Sequence, residues 1–166
     1  MSKDETLGEA LRRQGITRRG FLKFCAATAS MMALPPSMVP AIAAALEKAR
    51  RPSVIWLSFQ ECTGCVESLT RSHSPTVEGL IFDAISLDYQ HTLQAAAGSA
   101  AEAAREAAME ENYGKYILIV DGSIPLGNPG YSTIAGISNL AMLEETAKGA
   151  AAIVSMGTCA AYGGIP

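Results

Sequence analysis

The chain has 166 residues, 49% of them hydrophobic and 17% charged, with a formal net charge of −3. It is too apolar and too weakly charged to be disordered, and it offers no basic surface to nucleic acid; one compact domain suits it. No apolar run reaches the ~18 residues that a membrane-spanning helix needs.

In chain order, residues 1–45 read first as an export signal. The stretch ITRRGFLKFCAATASMMALPPSMVPAIAAALEK holds paired arginines, Arg18 and Arg19, followed by Phe21, Leu22 and Lys23. An apolar stretch interrupted by Pro35 and Pro36 comes next, then small residues around Ala41–Ala45. Basic region, apolar region and small-residue cleavage site stand in the order of a secretory signal, and the arginine pair marks the twin-arginine type. The alternative is an amphipathic N-terminal helix on the surface of a cytosolic protein. Cleavage leaves seven basic and thirteen acidic residues and removes Cys25, which is assigned no role. Twin-arginine export moves folded proteins, often with a cofactor in place. That tilts the remaining cysteines away from a structural disulfide, which an oxidising compartment alone would favour.

Residues 46–166 alternate strand and helix. PSVIWLSF (52–59) is a predicted strand, followed at once by a short helix at 62–72. A second strand is predicted at 80–89, an Ala/Glu-rich surface helix at 92–112, and a third strand at 115–122. A helix at 132–149 closes on Lys148 and Gly149, and a fourth strand at 151–160 runs into a glycine turn. Such alternation implies an α/β fold: a flavodoxin-like open parallel sheet, strand order 2-1-3-4, with helices on both faces. The apolar runs of strands three and four suit central strands.

Function in such a sheet collects beyond the carboxyl ends of the strands. Cys62 and Cys65 of ECTGCVE (61–67) follow strand one, GSIPLGNPG (122–130) follows strand three, and GTCAAYGG (157–164), with Cys159, follows strand four. The order places all three cysteines at one edge of the sheet. A CxxC alone leaves a redox disulfide, half a zinc site or half an iron–sulfur site open. A third cysteine argues against a thioredoxin-like pair. Zinc lacks a fourth ligand, because His73 and His91 are the only histidines and neither shows ligand spacing to Cys159. Gly64 and the glycines around Cys159 allow close backbone approach, and a helix start favours thiolate charge. The competing functions are therefore an exported thiol–disulfide oxidoreductase using Cys62 and Cys65, a zinc-stabilised binding domain, or an iron–sulfur protein. A flavin-binding flavodoxin lacks support, because the first strand–helix loop carries cysteines where a phosphate loop belongs.

ECTGC with Glu67 following, SPTVEGL (74–80), ISLDYQHTLQAAAG (85–98), VDGSIP (120–125) and GTCAAYGG, together with the arginine-pair leader, resemble the N-terminal half of the small subunit of [NiFe]-hydrogenases. The related respiratory complex I subunit shares the fold but usually has adjacent cysteines in place of CTGC. The resemblance implies that Cys62, Cys65 and Cys159 are three of four ligands of a proximal [4Fe–4S] cluster, with Gly64, Gly157 and Thr158 around them. It implies a fourth ligand and further [3Fe–4S]/[4Fe–4S] clusters in a C-terminal segment that a truncated chain would lack. It implies no catalytic residue here. The Ni–Fe centre that splits hydrogen lies in a large-subunit partner, and electrons pass through the clusters to a membrane cytochrome b or another acceptor. The expected setting is the periplasm or the outer face of the cytoplasmic membrane, reached through the twin-arginine translocase. Gly64 and Gly164 stand where oxygen-tolerant members carry extra cysteines, so the oxygen-sensitive type is expected. Glu61 is read either as part of a proton path or as a charge at the helix start. Glu67 is expected to meet the partner or the helix dipole, and Glu102, Glu106, Glu110 and Glu111 to be solvated. Trp56 and Tyr162 are expected in the core, with packing beside the cluster as the alternative.

Overall fold

The computed structural model describes residues 6–164 apart from Gln14 and Met32. It divides into two units, Met1–Arg51 with Phe82–Ala84, and Pro52–Ile81 with Ile85–Pro166.

The first unit is helical: α1 (Leu7–Arg13), α2 (Arg18–Met31) and α3 (Val39–Lys48). A capping box starts α1. Thr6 Oγ1 accepts the Glu9 N–H at 3.3 Å, and the Glu9 carboxylate accepts the Thr6 N–H at 2.8 Å. Phe21 and Cys25, one turn apart on α2, pack with Ala43 of α3 into a small core joined by Leu11, Val39, Ile42 and Leu46. Arg18 and Arg19 are exposed on the first turn of α2. The segment is thus helical, which both readings of it allow. Among the described residues no helix is long and apolar enough to cross a membrane.

The second unit is built on β1 (Ser53–Ser58), whose six positions are all buried. Burial on both faces is what a central parallel strand requires. Ile55 and Leu57 are wholly buried, at about 2 kcal/mol each. After β1 come α4 (Gly64–Thr70), β2 (Ser86–Gln90), α5 (Ser99–Glu111), β3 (Tyr116–Asp121), β4 (Thr133–Ile134), β5 (Ile137–Ser138), α6 (Asn139–Ala147), β6 (Ala150–Met156) and α7 (Gly157–Tyr162). The main sheet runs β2-β1-β3-β6 with every pair parallel, so its four long strands take the expected 2-1-3-4 order. Its core joins Ile55, Leu57, Phe59, Tyr89, Tyr116 and Leu118 to Ala101 and Ala108 of α5 and Met142 of α6.

Several predicted spans differ for local reasons. Only the second half of 80–89 is strand, because Thr76 Oγ1 caps the Gly79 N–H at 3.2 Å and starts a helical turn that continues through Leu80–Ala84. The helix expected from residue 92 begins only at Ser99, after Gly98 turns the chain at φ 59°. The helix expected at 132–149 is cut to α6 by the β4–β5 hairpin, whose turn residues Ala135 and Gly136 both have positive φ, 52° and 80°. Ser138 then caps α6, its Oγ accepting the Ala141 N–H at 3.3 Å. Cys159 lies on α7 rather than on the fourth strand. Among the described residues β6 pairs with β3 alone, and Ala151–Ser155 are exposed, with Ile153 at 53% and Val154 at 43%.

Alanine is strained at the first position of that hairpin turn, where both residues are left-handed. Ala135→Gly is expected to raise unfolding free energy by about 0.5 kcal/mol, read as a higher urea midpoint with unchanged slope; a lower midpoint would contradict the turn assignment.

Candidate metal centre

Backbone pairing fixes the cysteine-bearing loop to the rest of the sheet. Past β1, the Phe59 N–H donates to Asp121 O at 2.8 Å. Gln60 and Ser123 then exchange hydrogen bonds, Gln60 N–H to Ser123 O at 3.1 Å and Ser123 N–H to Gln60 O at 2.8 Å. The approach requires glycine at 122, since a Cβ there would stand 2.6 Å from Gln60 O, and φ is +86°. From this anchor the chain passes Glu61 and exposed Cys62, turns at Thr63 and enters α4, with half-buried Cys65 in its first turn.

Cys159 arrives from the other side, in the first turn of α7. Gly157 opens that helix at φ +76°, and a Cβ on it would lie 2.4 Å from Cys65 Sγ. The starts of α4 and α7 therefore meet at the Cys65 sulfur. A Cβ on Gly64 would come within 3.1 Å of Cys62 Sγ. All three cysteines are free thiols. Burial pushes the Cys65 thiol above its ordinary value, and Asp121, Cys62 and Cys159 push it the same way. The structure thus brings Cys62, Cys65 and Cys159 into one neighbourhood, with Gly64 and Gly157 against their sulfurs; Thr158 is exposed beside them.

Asp121 was not singled out from the sequence. It ends central strand β3, is 1% exposed, and leaves Oδ2 without a partner. Burial and then the Glu61 charge hold its carboxyl above the usual range, opposed by hydrogen bonds from the Cys65 thiol and the Gly122 N–H. The available signal was its place in DGSIP, at the carboxyl end of a strand.

The other singled-out residues fall as follows. The Glu61 carboxylate accepts the Thr63 N–H and, at 3.4 Å, the Thr63 hydroxyl. Glu67 pairs with Arg71 at 2.6 Å; both are exposed, so the pair adds little. Trp56 is core, whereas Tyr162 is 88% exposed rather than packed. Glu102 is not merely solvated. It accepts the Tyr89 hydroxyl at 2.8 Å and Arg105 Nε at 3.0 Å. His91 packs edge-on against Tyr89, with centroids 6.1 Å apart, and burial holds its pKa down. Gly164 is exposed.

Three thiols, two glycines against their sulfurs and a central strand end form a donor set that fits an iron–sulfur group. Among the described residues no three His, Cys, Asp or Glu side chains gather tightly enough to hold a single metal ion. A polynuclear cluster binds each thiolate at a different iron and does not need them to meet at one point. In the metal-free, reduced chain, iodoacetamide is expected to modify Cys62 at least about fivefold faster than Cys65 at neutral pH. The ratio should narrow as rising pH ionises Cys65. Peptide mass spectrometry over time reads both, and equal neutral-pH rates would contradict the burial of Cys65.

Residues 62–166 match the model of the family described as NADH ubiquinone oxidoreductase, 20 Kd subunit. The uptake hydrogenase small subunit of Azotobacter vinelandii is 46% identical over 98% of this chain and 46% of its own length. The periplasmic [NiFe] hydrogenase small subunit of Solidesulfovibrio fructosivorans is 45% identical over 93% of this chain and 49% of its own. Among solved structures, a reduced, active Ni–Fe–Se hydrogenase from Desulfomicrobium baculatum superposes with a TM-score of 0.67 at 33% identity, covering 70% of this chain and 46% of that one. The chain spans about half the length of the curated relatives it matches. It belongs to the family described as NADH ubiquinone oxidoreductase, 20 Kd subunit, and is similar to [NiFe]-hydrogenase small subunits.

Proposed function

We propose that this polypeptide is the electron-transfer part of a [NiFe]-hydrogenase, holding a proximal [4Fe–4S] cluster through the thiolates of Cys62, Cys65 and Cys159. When bound, the cluster supplies one-electron redox chemistry. The chain's own contribution is ligation and shape. The three thiolates bind, Gly157 and Gly64 leave room against the sulfurs, and the paired segments at Gln60 and Ser123 keep the CTGC loop in register with β3. A four-thiolate site needs one more donor, which the proposal places outside residues 1–166, together with any further clusters. Hydrogen chemistry belongs to a large subunit carrying the Ni–Fe centre, and the electrons pass to a membrane cytochrome b or another acceptor.

The segment 1–45, with Arg18 and Arg19 exposed, is proposed to be a twin-arginine leader that is later removed. The site of action is then the periplasm or the outer face of the cytoplasmic membrane, in keeping with the periplasmic relative. The observation that carries the functional reading is the Cys65 sulfur seated against Gly157, two residues before Cys159. The test is anaerobic purification of the gene product, extended past Pro166, with any co-purifying chain, followed by assay of iron, nickel and acid-labile sulfide. Near-equal iron and sulfide, with nickel in a larger second chain, is expected. Zinc, or metal-free protein with Cys62 and Cys65 oxidised to each other, would replace this reading with a zinc-stabilised domain or a thiol–disulfide enzyme.

A further inference from the structure

We infer that Glu61 is a positioning residue: its carboxylate clamps the turn at Thr63 and thereby sets where the Cys62 thiol stands, a role that needs no proton transfer. The inference rests on the reading of Cys62 as an iron ligand, and it deepens that reading.

Thr63 sits at φ 64°, ψ 1°, in the left-handed region. Among the described residues only Ala33 and Ala135 share a positive φ without being glycine. For a β-branched residue this conformation is costly and persists only where its surroundings impose it. Thr63 is held on both sides. Its N–H donates to one oxygen of the Glu61 carboxylate, and its hydroxyl lies 3.4 Å from the other. Its carbonyl accepts the Glu67 N–H at 2.9 Å as α4 begins. Cys62 lies between the clamping residue and the clamped one, so its Cα–Cβ direction is fixed by both. Without the clamp, Thr63 relaxes toward ordinary φ, and the spacing of Cys62 from Cys65 changes with it.

The clamp asks Glu61 only to accept hydrogen bonds, which an amide oxygen also does. That separates it from a proton-carrying role, which an amide cannot fill. It also yields a suppressor: glycine at 63 adopts φ 64° without help.

The experiment uses the complete polypeptide with its partner and compares wild type, Glu61→Gln, Glu61→Ala and the double variant Glu61→Ala/Thr63→Gly. Iron per chain at limiting iron and the electron paramagnetic resonance spectrum of the reduced protein are read together. Hydrogen–deuterium exchange of the Thr63 amide is followed in the same four proteins without metal. Glu61→Ala is expected to lose iron occupancy about five- to tenfold, the population cost of an unsupported left-handed threonine, to alter the spectrum, and to speed Thr63 exchange by a similar factor. Glu61→Gln should stay near wild type in occupancy, spectrum and exchange. The double variant should regain occupancy and spectrum. The clamp is overturned if Glu61→Ala keeps the wild-type spectrum and exchange rate, if Glu61→Gln is as damaged as Glu61→Ala, or if Thr63→Gly gives no rescue. A wild type that holds no iron and sulfide sinks the functional reading instead, and the exchange rates then decide the clamp alone.

Discussion

Gly157→Ala is expected to destabilise the fold by about 3 kcal/mol and to displace the Cys65 thiol. Two costs add. A non-glycine residue at φ +76° gives up about 1–2 kcal/mol. The new methyl would also stand 2.4 Å from Cys65 Sγ, an overlap that must be relieved by moving the sulfur or the start of α7, and overpacking of this kind costs about 1–3 kcal/mol. Gly114→Ala is the control, with φ +77° and open space where its Cβ would go, so it should show only the backbone part. Urea unfolding of the two variants separates the terms. If they lose equal stability, the sulfur does not lie against residue 157. The displaced thiol should also shift its alkylation rate relative to Cys62, in the assay that distinguishes the two cysteines in the parent chain.

Arg105→Met is expected to cost about 3 kcal/mol by the same measurement. Arg105 is 1% exposed on α5, where an Ala-rich sequence suggests a plain surface helix. Its Nε donates to Glu102 at 3.0 Å, and its Nη1 donates to Glu145 at 3.1 Å and to Thr146 Oγ1 at 3.2 Å, tying α5 to α6. Glu102 in turn receives the Tyr89 hydroxyl of β2. Methionine keeps much of the stem's packing but removes every donor, leaving Glu102, only 15% exposed, without its counter-charge. Glu145 is half exposed and can turn to water, so most of the loss should trace to Glu102. Adding Glu102→Gln to Arg105→Met should therefore recover about 1 kcal/mol. A double variant no more stable than the single one would place the loss in packing instead.

What the sequence made legible followed the strength of local pattern. The unbroken apolar runs at 54–57 and 116–120 announced β1 and β3, and strand–helix alternation was enough to order the four long strands. The cysteine convergence followed from that order, because loops after parallel strands open on one edge. Less was legible where side-chain hydrogen bonds or left-handed residues decide the path: the Thr76 cap, the Gly98 turn and the Ala135–Gly136 hairpin each shorten an element whose composition reads as continuous. The buried Arg105 network was hidden because two of its acceptors, Glu145 and Thr146, lie about forty residues away on α6, and charged residues on an Ala/Glu-rich helix ordinarily face water. Asp121 was hidden for a related reason. An aspartate closing a strand reads as solvated until β1 and β3 are seen to join beyond it. β6 reads as central from its apolar residues, and among the described residues its partner is β3.

The sheet order has a further meaning for the site, in the entropy of chain closure. Ninety-three residues separate Cys65 from Cys159, and drawing the ends of so long a flexible segment together costs roughly 4 kcal/mol. The hydrogen-bonded ladder from β1 through β3 to β6 has met that cost before any ligand arrives, so under the proposed ligation the thiols would act as one multidentate chelator rather than as two distant donors. Weakening the ladder between β1 and β6 should therefore loosen the grip on whatever those thiols hold, even where no cysteine is touched.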